Sequence, residues 1–172
     1  MRLLLPHVRY KKTYLSGLRE FHSEGFLTNK IDYGEAANDF GAFARKIKGK
    51  RTGKNMPKGY VPESEFWLID DNEYIGTVKI RHRLNETLRM VGGHIGYYIR
   101  PTKRQRGYGK KILKLALPKA AHLGIGKALV TCDDTNVGSR KVIEANGGVL
   151  ENIVPDKRNN TRKMRFWIYL KI

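Results

Sequence analysis

Apolar residues recur at helical spacing in four segments of the chain. Each segment presents one apolar stripe and is bounded by capping residues or glycines, which favour helix ends. Pro118 lies inside the third segment, where its missing N–H predicts a bend or an early end. The predicted helices span residues 13–25, 36–49, 107–124 and 136–146.

Seven shorter runs are rich in β-branched and aromatic residues, which are typical of strands. They are residues 2–9, 66–69, 74–83, 94–99, 126–131, 149–154 and 163–172. The second and third runs flank a short polar turn and so predict a hairpin. The element order β-α-α-β-β-β-α-β-α-β-β predicts an α/β fold with a mixed sheet. A length of 172 residues fits one domain over residues 1–172.

The charge of the chain is strongly positive, with 34 Lys and Arg against 16 Asp and Glu and a net charge of +18. Such a field attracts polyanions and fits nucleic acid, an acidic substrate or a phosphorylated cofactor. Much of the excess lies in Arg45 to Lys58 and in Lys157 to Arg165. Either segment can equally be a solvated loop face. The charge therefore suggests which kinds of partner the protein can bind, but it gives no information about the fold.

Several classes of site are excluded by simple counts. Cys132 is the single cysteine, and the five histidines show no metal-ligand spacing with it. We therefore expect no metal and a reducing, cytoplasmic location. The apolar start is broken at Pro6, and no run approaches membrane-spanning length, so no membrane partner is expected. A P-loop is absent, and Gly107 and Gly109 lack the third glycine of a dinucleotide site.

The segment between the fourth strand and the third helix carries the clearest chemistry. Three cations, Lys103, Arg104 and Arg106, precede Gly107 and Gly109 at the predicted helix start. The first N–H groups of a helix lack intrahelical partners and favour an anion, and glycines permit close approach of a phosphate. We interpret residues 104–110 as a pyrophosphate cradle. A basic helix start with glycines serving only the turn is the alternative.

The motif Arg104-x-x-Gly107-x-Gly109 resembles the acyl-coenzyme A loop of the GCN5-related N-acetyltransferase (GNAT) superfamily. Asn136-x-x-Ser139, followed by a helix that closes at Gly147, is similar to the second coenzyme-binding segment of that family. The resemblance covers nearly all of the chain. Within the family, Arg81-His82 and residues 92–97 resemble a bacterial group of predicted acetyltransferases with undefined substrates.

The resemblance implies a GNAT fold: a mixed, mostly antiparallel sheet of about seven strands with four helices, split between the fourth and fifth strands. It implies acetyl transfer from acetyl-CoA to a primary amine of a small molecule or a peptide. Small members often form homodimers. The implied coenzyme-binding residues are Tyr98, Ile99, Arg104, Gln105, Arg106, Gly107, Tyr108, Gly109, Lys110, Asn136 and Ser139.

The chain departs from the family pattern at one catalytic position. Many members carry a tyrosine seven residues after the asparagine, and this chain has Ile143. The acid that would protonate the departing thiolate is therefore unassigned, with Ser139, Cys132 and Tyr108 as substitutes. For the base that takes the amine proton, the resemblance favours His94, with His82 next. Each histidine can instead simply support the sheet.

Four acidic residues lie in or near the first two predicted helices, where the resemblance places the acceptor. Glu20, Glu24, Asp32 and Glu35 can hold a cationic amine or face solvent as ordinary helix charges. A second function stays open: a non-catalytic basic module that binds RNA or the ribosome and keeps the GNAT fold. No RNA-binding signature supports it, because the cations occur in loops without interleaved aromatic residues.

Overall fold

The computed structural model describes residues 1–54 and 56–171. The strands are β1 (Arg2–Leu4), β2 (Glu63–Asp70), β3 (Glu73–Arg81), β4 (Ile95–Ile99), β5 (Lys127–Asp133), β6 (Val149–Asp156) and β7 (Thr161–Tyr169). The α-helices are α1 (Lys11–Ser23), α2 (Tyr33–Asn38), α3 (Phe40–Gly49), α4 (Tyr108–Ala121) and α5 (Val137–Glu144). Two residues named in sequence predictions, Asn55 in the basic loop and Ile172 in the last strand, lie outside the described residues.

The seven strands form one sheet in the order β1-β2-β3-β4-β5-β7-β6. The pair β4–β5 is parallel, and every other neighbouring pair is antiparallel. The predicted α/β class and the mixed, mostly antiparallel sheet are therefore confirmed. Parallel strands need a crossover connection, and α4 provides it between β4 and β5.

Each face of the sheet carries its own apolar core. On one face α4 packs through Ile112, Leu113 and Ala116 against the central strands. On the other face α1, α2 and α3 cover an aromatic cluster in which the rings of Tyr14 and Trp67 stack with centroids 4.4 Å apart. Helices on both faces bury the central strands, whereas β6 at the edge of the sheet is largely exposed.

A buried cation ties α1 to the end of β4. Arg100 is 5% exposed and forms ion pairs with Glu20 and, at 3.0 Å, with Glu73. Its guanidinium also donates to Ser16 Oγ at 3.1 Å. Hydrogen bonds to Glu20 raise the pKa of Arg100 and keep it charged. This network fixes the position at which β4 ends and the basic loop begins.

Most boundaries shift by one to three residues from the sequence predictions, and three differences have a clear physical reason. The single helix predicted over residues 36–49 is two helices, α2 and α3, because Asp39 interrupts the first and caps the second by accepting from Ala42 N at 2.8 Å. The first strand ends at Leu4, before Pro6, and not at residue 9. Helix α4 continues past Pro118 to Ala121 and does not end early there. The proline therefore costs one backbone bond without stopping the helix.

Candidate active site

The sheet is joined at its centre by a single β-bridge. Strands β4 and β5 pair only through Ile95 and Val130. Next to this bridge, His94 N donates to Leu129 O at 2.6 Å. Toward their carboxyl ends the two strands have no further register in the described part of the chain, so they separate there. The predicted split between the fourth and fifth strands lies at this place.

The register with β3 determines which residues of β4 face the split. Arg81 N donates to His94 O at 2.8 Å, and Arg100 N donates to Ile75 O at 2.9 Å. Backbone groups alternate in direction along an antiparallel strand, so even-numbered residues of β4 bond to β3. The N–H and C=O groups of Tyr97 and Ile99 therefore point toward β5. The backbone groups of Tyr98 point toward β3, so only its side chain can contribute to the cleft.

The loop from β4 to α4 presents a run of free amides. Gln105 and Gly107 adopt left-handed conformations with φ of 61° and 78°. Among the residues that the structure describes, no hydrogen-bond acceptor is found for the backbone N–H groups of residues 105–110. A Cβ at Gly107 would meet no atom within 4 Å, so the space above the helix start is open. An anion placed there would complete these bonds at the positive end of α4.

The glycine at position 109 has a different role from the one at 107. A Cβ at Gly109 would lie 3.0 Å from Val142 Cγ2 on α5. This contact is closer than most Cβ contacts, so a larger residue would require Val142 to shift by a few tenths of an ångström. Gly109 therefore takes part in helix packing as well as contributing an amide to the loop.

Arg104 joins the loop to the end of β4 and to the end of α1. Its Nε donates to Ile99 O at 3.2 Å, and its guanidinium forms an ion pair with Glu24 at 2.8 Å. Lys110 and Lys141 add two further cations to the same region. The sequence reasoning did not select Lys141, which lies five residues after Asn136. The region therefore has a positive balance that suits phosphate groups.

These elements surround a cleft of about 850 Å³. All the predicted coenzyme-binding residues line it except Arg106 and Tyr108, and the first-choice base, His94, does not line it. Asn136 lies at the start of α5, where its Oδ1 accepts from Ser139 N at 2.9 Å. A second cavity of about 820 Å³ lies between β1 and α4 and contains none of the predicted site residues. The split cleft is the candidate active site.

His94 lies at the closed end of the split. Its Nδ1 accepts from Leu129 N at 3.0 Å, so the lone pair of that nitrogen is occupied. Burial lowers the pKa of His94 to about 4, with the charges of Arg89 and Arg81 contributing. His82 bonds to Ser64 Oγ at 2.8 Å and also lies outside the cleft lining. Neither histidine belongs to the cleft lining, and His94 links β4 to β5 through its hydrogen bond from Leu129 N.

The acids suggested for the acceptor amine make contacts within the chain. Glu20, Glu24 and Glu35 each form an ion pair with a lysine or arginine. Asp32 caps α2 through its side chain. Among these four residues, only Glu24 lines the cleft. These contacts fit the alternative that the four acids are ordinary structural charges and do not hold the acceptor amine.

In residues 1–54 and 56–171, no group of three His, Cys, Asp or Glu side chains lies close enough to hold a metal ion. Within the same ranges, no helix combines the length and the apolar character needed to span a bilayer.

A sequence comparison decides the family. The profile of the acetyltransferase (GNAT) domain matches residues 30–149, which is more than half of the chain. The chain belongs to the GNAT acetyltransferase family. The resemblance stated from the motifs is confirmed. No curated protein sequence matches this GNAT chain.

Solved structures share the GNAT fold at low sequence identity. The microcin C7 self-immunity acetyltransferase MccE, in complex with acetyl-CoA and AMP, is 11% identical with a TM-score of 0.71 over 98% of this chain and 91% of its own. A Salmonella typhimurium acetyltransferase that modifies the N-terminal serine of ribosomal protein L7/L12 is 13% identical, with a TM-score of 0.68 over 98% and 94%. A mutant of the Vibrio cholerae spermidine N-acetyltransferase SpeG is 18% identical, with a TM-score of 0.58 over 90% and 90%. At these identities the likeness shows the fold alone.

Two of the suggested GNAT acids lie away from the cleft. Tyr108 donates its hydroxyl to Asp70 Oδ2 at 2.9 Å. Cys132 is a buried free thiol outside the cleft lining, and burial raises its pKa to about 11. Ser139 is the suggested acid that does line the cleft. The position of the usual family tyrosine, Ile143, is 1% exposed within the core.

Tyr97 lines the cleft, although the sequence reasoning did not select it. Its hydroxyl is buried and makes no hydrogen bond with any residue that the structure describes. Burial raises the pKa of Tyr97 to about 12, so the phenol is protonated at neutral pH. Side chains alternate between the two faces along residues 94–99, so this alternation would have predicted that Tyr97 faces the cleft if the register of β4 with β3 had been known.

Proposed function

We propose that this GNAT protein is an acetyl-CoA-dependent N-acetyltransferase that acts on a primary amine of a small molecule or a peptide. One observation carries the proposal: free amides at the start of α4 and the β5-facing backbone groups of Tyr97 and Ile99 line the same cleft, and among the described residues only Ile99 O of that strand edge has a partner, the side chain of Arg104. An anion fits the first set, and an extended amide-bearing arm fits the second. Acetyl-CoA combines a pyrophosphate with such an arm and supplies an activated acetyl group.

The residues of the chain have distinct parts in holding this co-substrate. The amides of residues 105–110 would bind the pyrophosphate, with Arg104 and Lys110 adding charge. The backbone of Tyr97 and Ile99 would pair with the arm and complete the interrupted sheet. A free N–H on this strand edge can also donate to the oxygen that becomes negative when the amine attacks.

The amine must lose a proton to become a nucleophile. His94 was the predicted base, and its Nδ1 is occupied by the bond from Leu129 N. We therefore infer that the amine proton leaves to water in the open cleft. The rate should then follow the pKa of the acceptor amine and show no step near the pKa of an ordinary histidine, about 6.5.

The acceptor is proposed from charge and chemistry alone. The carboxylate of Glu24 in the cleft lining is neutralised by Arg104. A polyamine would meet a positive balance there, so an acceptor with one amine on a neutral or acidic body is favoured. A screen over peptides, amino acids, aminoglycosides and polyamines, read by thiol release and by the mass of the product, tests this preference.

Calorimetry with acetyl-CoA tests the site. We expect micromolar binding by the wild type and at least about a tenfold loss in Gly107→Glu, because bulk and negative charge would enter the cradle. Gly124→Glu is the matched control: it has φ of 81° against 78°, and both positions are open to solvent. The two variants share the backbone strain and differ in their distance from the cleft.

The outcomes separate the candidate functions. Equal coenzyme affinity in Gly107→Glu and Gly124→Glu would reject the placement of the pyrophosphate. Absence of acetyl-CoA binding by the wild type would reject the enzyme. RNA binding in that case would support the basic binding module, for which the net charge of +18 is the motivating feature.

A further inference from the structure

Acetyl transfer leaves a negative sulfur that the cleft must accommodate. In the proposed reaction the amine nitrogen bonds to the acetyl carbon, the carbon–sulfur bond breaks, and its electron pair stays on sulfur. The amine gives its proton to water, and the sulfur later takes a proton from water. Stabilising charge on sulfur while that bond breaks lowers the barrier. Ile143, on α5, is aliphatic and cannot donate to it.

Tyr97 is placed for this task by its strand. It follows the single bridge at Ile95 by two residues, so its side chain lies on the same face as Ile95 where the split opens. The parallel register places Cys132 of β5 across the split from it. Tyr97 packs against the core on the α4 and α5 side, whereas Tyr98 packs against Phe21 on the opposite face, with ring centroids 5.2 Å apart.

The hydroxyl of Tyr97 has an unused donor. By contrast, Tyr74 OH bonds to Thr77 Oγ1 at 2.8 Å. The buried hydroxyl of Tyr98 also has no partner among the described residues, but Tyr98 lies on the opposite face of the sheet, against Phe21. Ser139 lies near the Tyr97 hydroxyl and partly offsets the rise in the pKa of Tyr97. The geometry between the two hydroxyls does not meet that of a hydrogen bond, so the Tyr97 hydroxyl stays without a partner among the described residues. A buried hydroxyl without a partner is unfavourable and calls for an explanation in the ligand-bound state.

We propose that the hydroxyl of Tyr97 donates a hydrogen bond to the sulfur of the coenzyme as the thiolate departs. This inference rests on the proposed function and adds to it the residue that stabilises the leaving group. The phenol holds its proton more tightly than a free thiol, whose pKa is about 8.5. Tyr97 therefore stabilises the thiolate without giving up its proton, and water supplies the proton of the final thiol.

The ionisation of bound coenzyme A gives a direct test. The ultraviolet absorbance of its thiolate is followed against pH, with the complex of desulfo-coenzyme A subtracted. A hydrogen bond to a charged group should lower the pKa of the bound thiol by about 1–2 pH units. In Tyr97→Phe this pKa should rise by that amount, and kcat should fall about 10- to 100-fold. Tyr74→Phe, a buried phenol on the far aromatic cluster, should leave the thiol pKa unchanged.

The phenylalanine variant removes only an unpaired hydroxyl, so it should unfold at the wild-type temperature or above. Tyr97→Met provides the same measurement should Tyr97→Phe not fold. An unchanged thiol pKa in either variant, with coenzyme still bound and acetyl transfer intact, would overturn the role of Tyr97 alone. Failure of the wild type to bind coenzyme A would instead overturn the proposed function.

Discussion

Acidification should loosen the junction between β4 and β5 through one residue, His94. Its Nδ1 accepts from Leu129 N beside the single bridge of the split. A proton on Nδ1 would abolish this bond and place a cation near Arg81 and Arg89, which oppose it. The folded chain therefore keeps His94 neutral to a pKa of about 4, compared with 6.5 for the free group.

The sign and the size follow from linkage. Above about pH 7 His94 is neutral in the folded and unfolded chains, and its protonation contributes nothing. Between pH 6.5 and about 4 the unfolded chain binds a proton that the folded chain does not, so stability falls as the pH falls. At about 1.4 kcal/mol for each pH unit, this difference in pKa sets an upper bound of about 3 kcal/mol of unfolding free energy, which solvent screening reduces because His94 is only partly buried.

Urea unfolding at several pH values measures this effect, with His94→Asn as the matched variant. Asparagine keeps an acceptor for the Leu129 N–H and cannot titrate, so its stability should fall less steeply below about pH 6.5. Carboxylates whose pKa is lowered, such as Glu20 and Asp156, weaken both proteins equally and cancel in the comparison. His94→Ala should lose about 1–3 kcal/mol already at pH 7, because the amide is left unpaired. Parallel curves for the wild type and His94→Asn would refute the reasoning.

Two further substitutions test the frame around the cleft. Arg100→Met should lower the unfolding free energy by about 3–5 kcal/mol in urea titrations, because it leaves the Glu20 carboxylate without its buried partner; a loss below about 1 kcal/mol would show that this ion pair is dispensable. Tyr108→Phe should lower stability by about 1 kcal/mol through the lost bond to Asp70, with acetyl-CoA affinity unchanged in calorimetry; weakened binding would return the side chain of Tyr108 to the coenzyme site.

The elements of the fold could largely be predicted from local patterns, because those patterns depend on near neighbours in the chain. The strand before the basic loop and the helix after Gly107 are examples. The break between α2 and α3 could not be predicted from periodicity, since the apolar stripe continues through it. Asp39 acts there as a helix cap, and this role outweighs the stripe.

The site was harder to predict where a residue depends on a distant partner. Tyr108 was selected for the cradle, and its hydroxyl is held by Asp70 on another strand. Tyr97 was missed because the direction of its backbone and side chain depends on the register with β3, which no local pattern contains. The lone pair of His94 is likewise occupied by β5, a strand more than thirty residues further along the chain.

The sheet consists of two groups of strands that are connected by one β-bridge and by the contact between α4 and α5. Four strands lie on one side of the Ile95–Val130 bridge and three on the other. Helix α4 packs on β3 and β4, helix α5 packs on β5, and the two helices contact each other across the gap. Gly109 takes part in that contact, because a Cβ there would lie 3.0 Å from Val142 Cγ2. A residue selected for its amide therefore also lies in the interface through which α4 and α5 connect the two halves of the sheet.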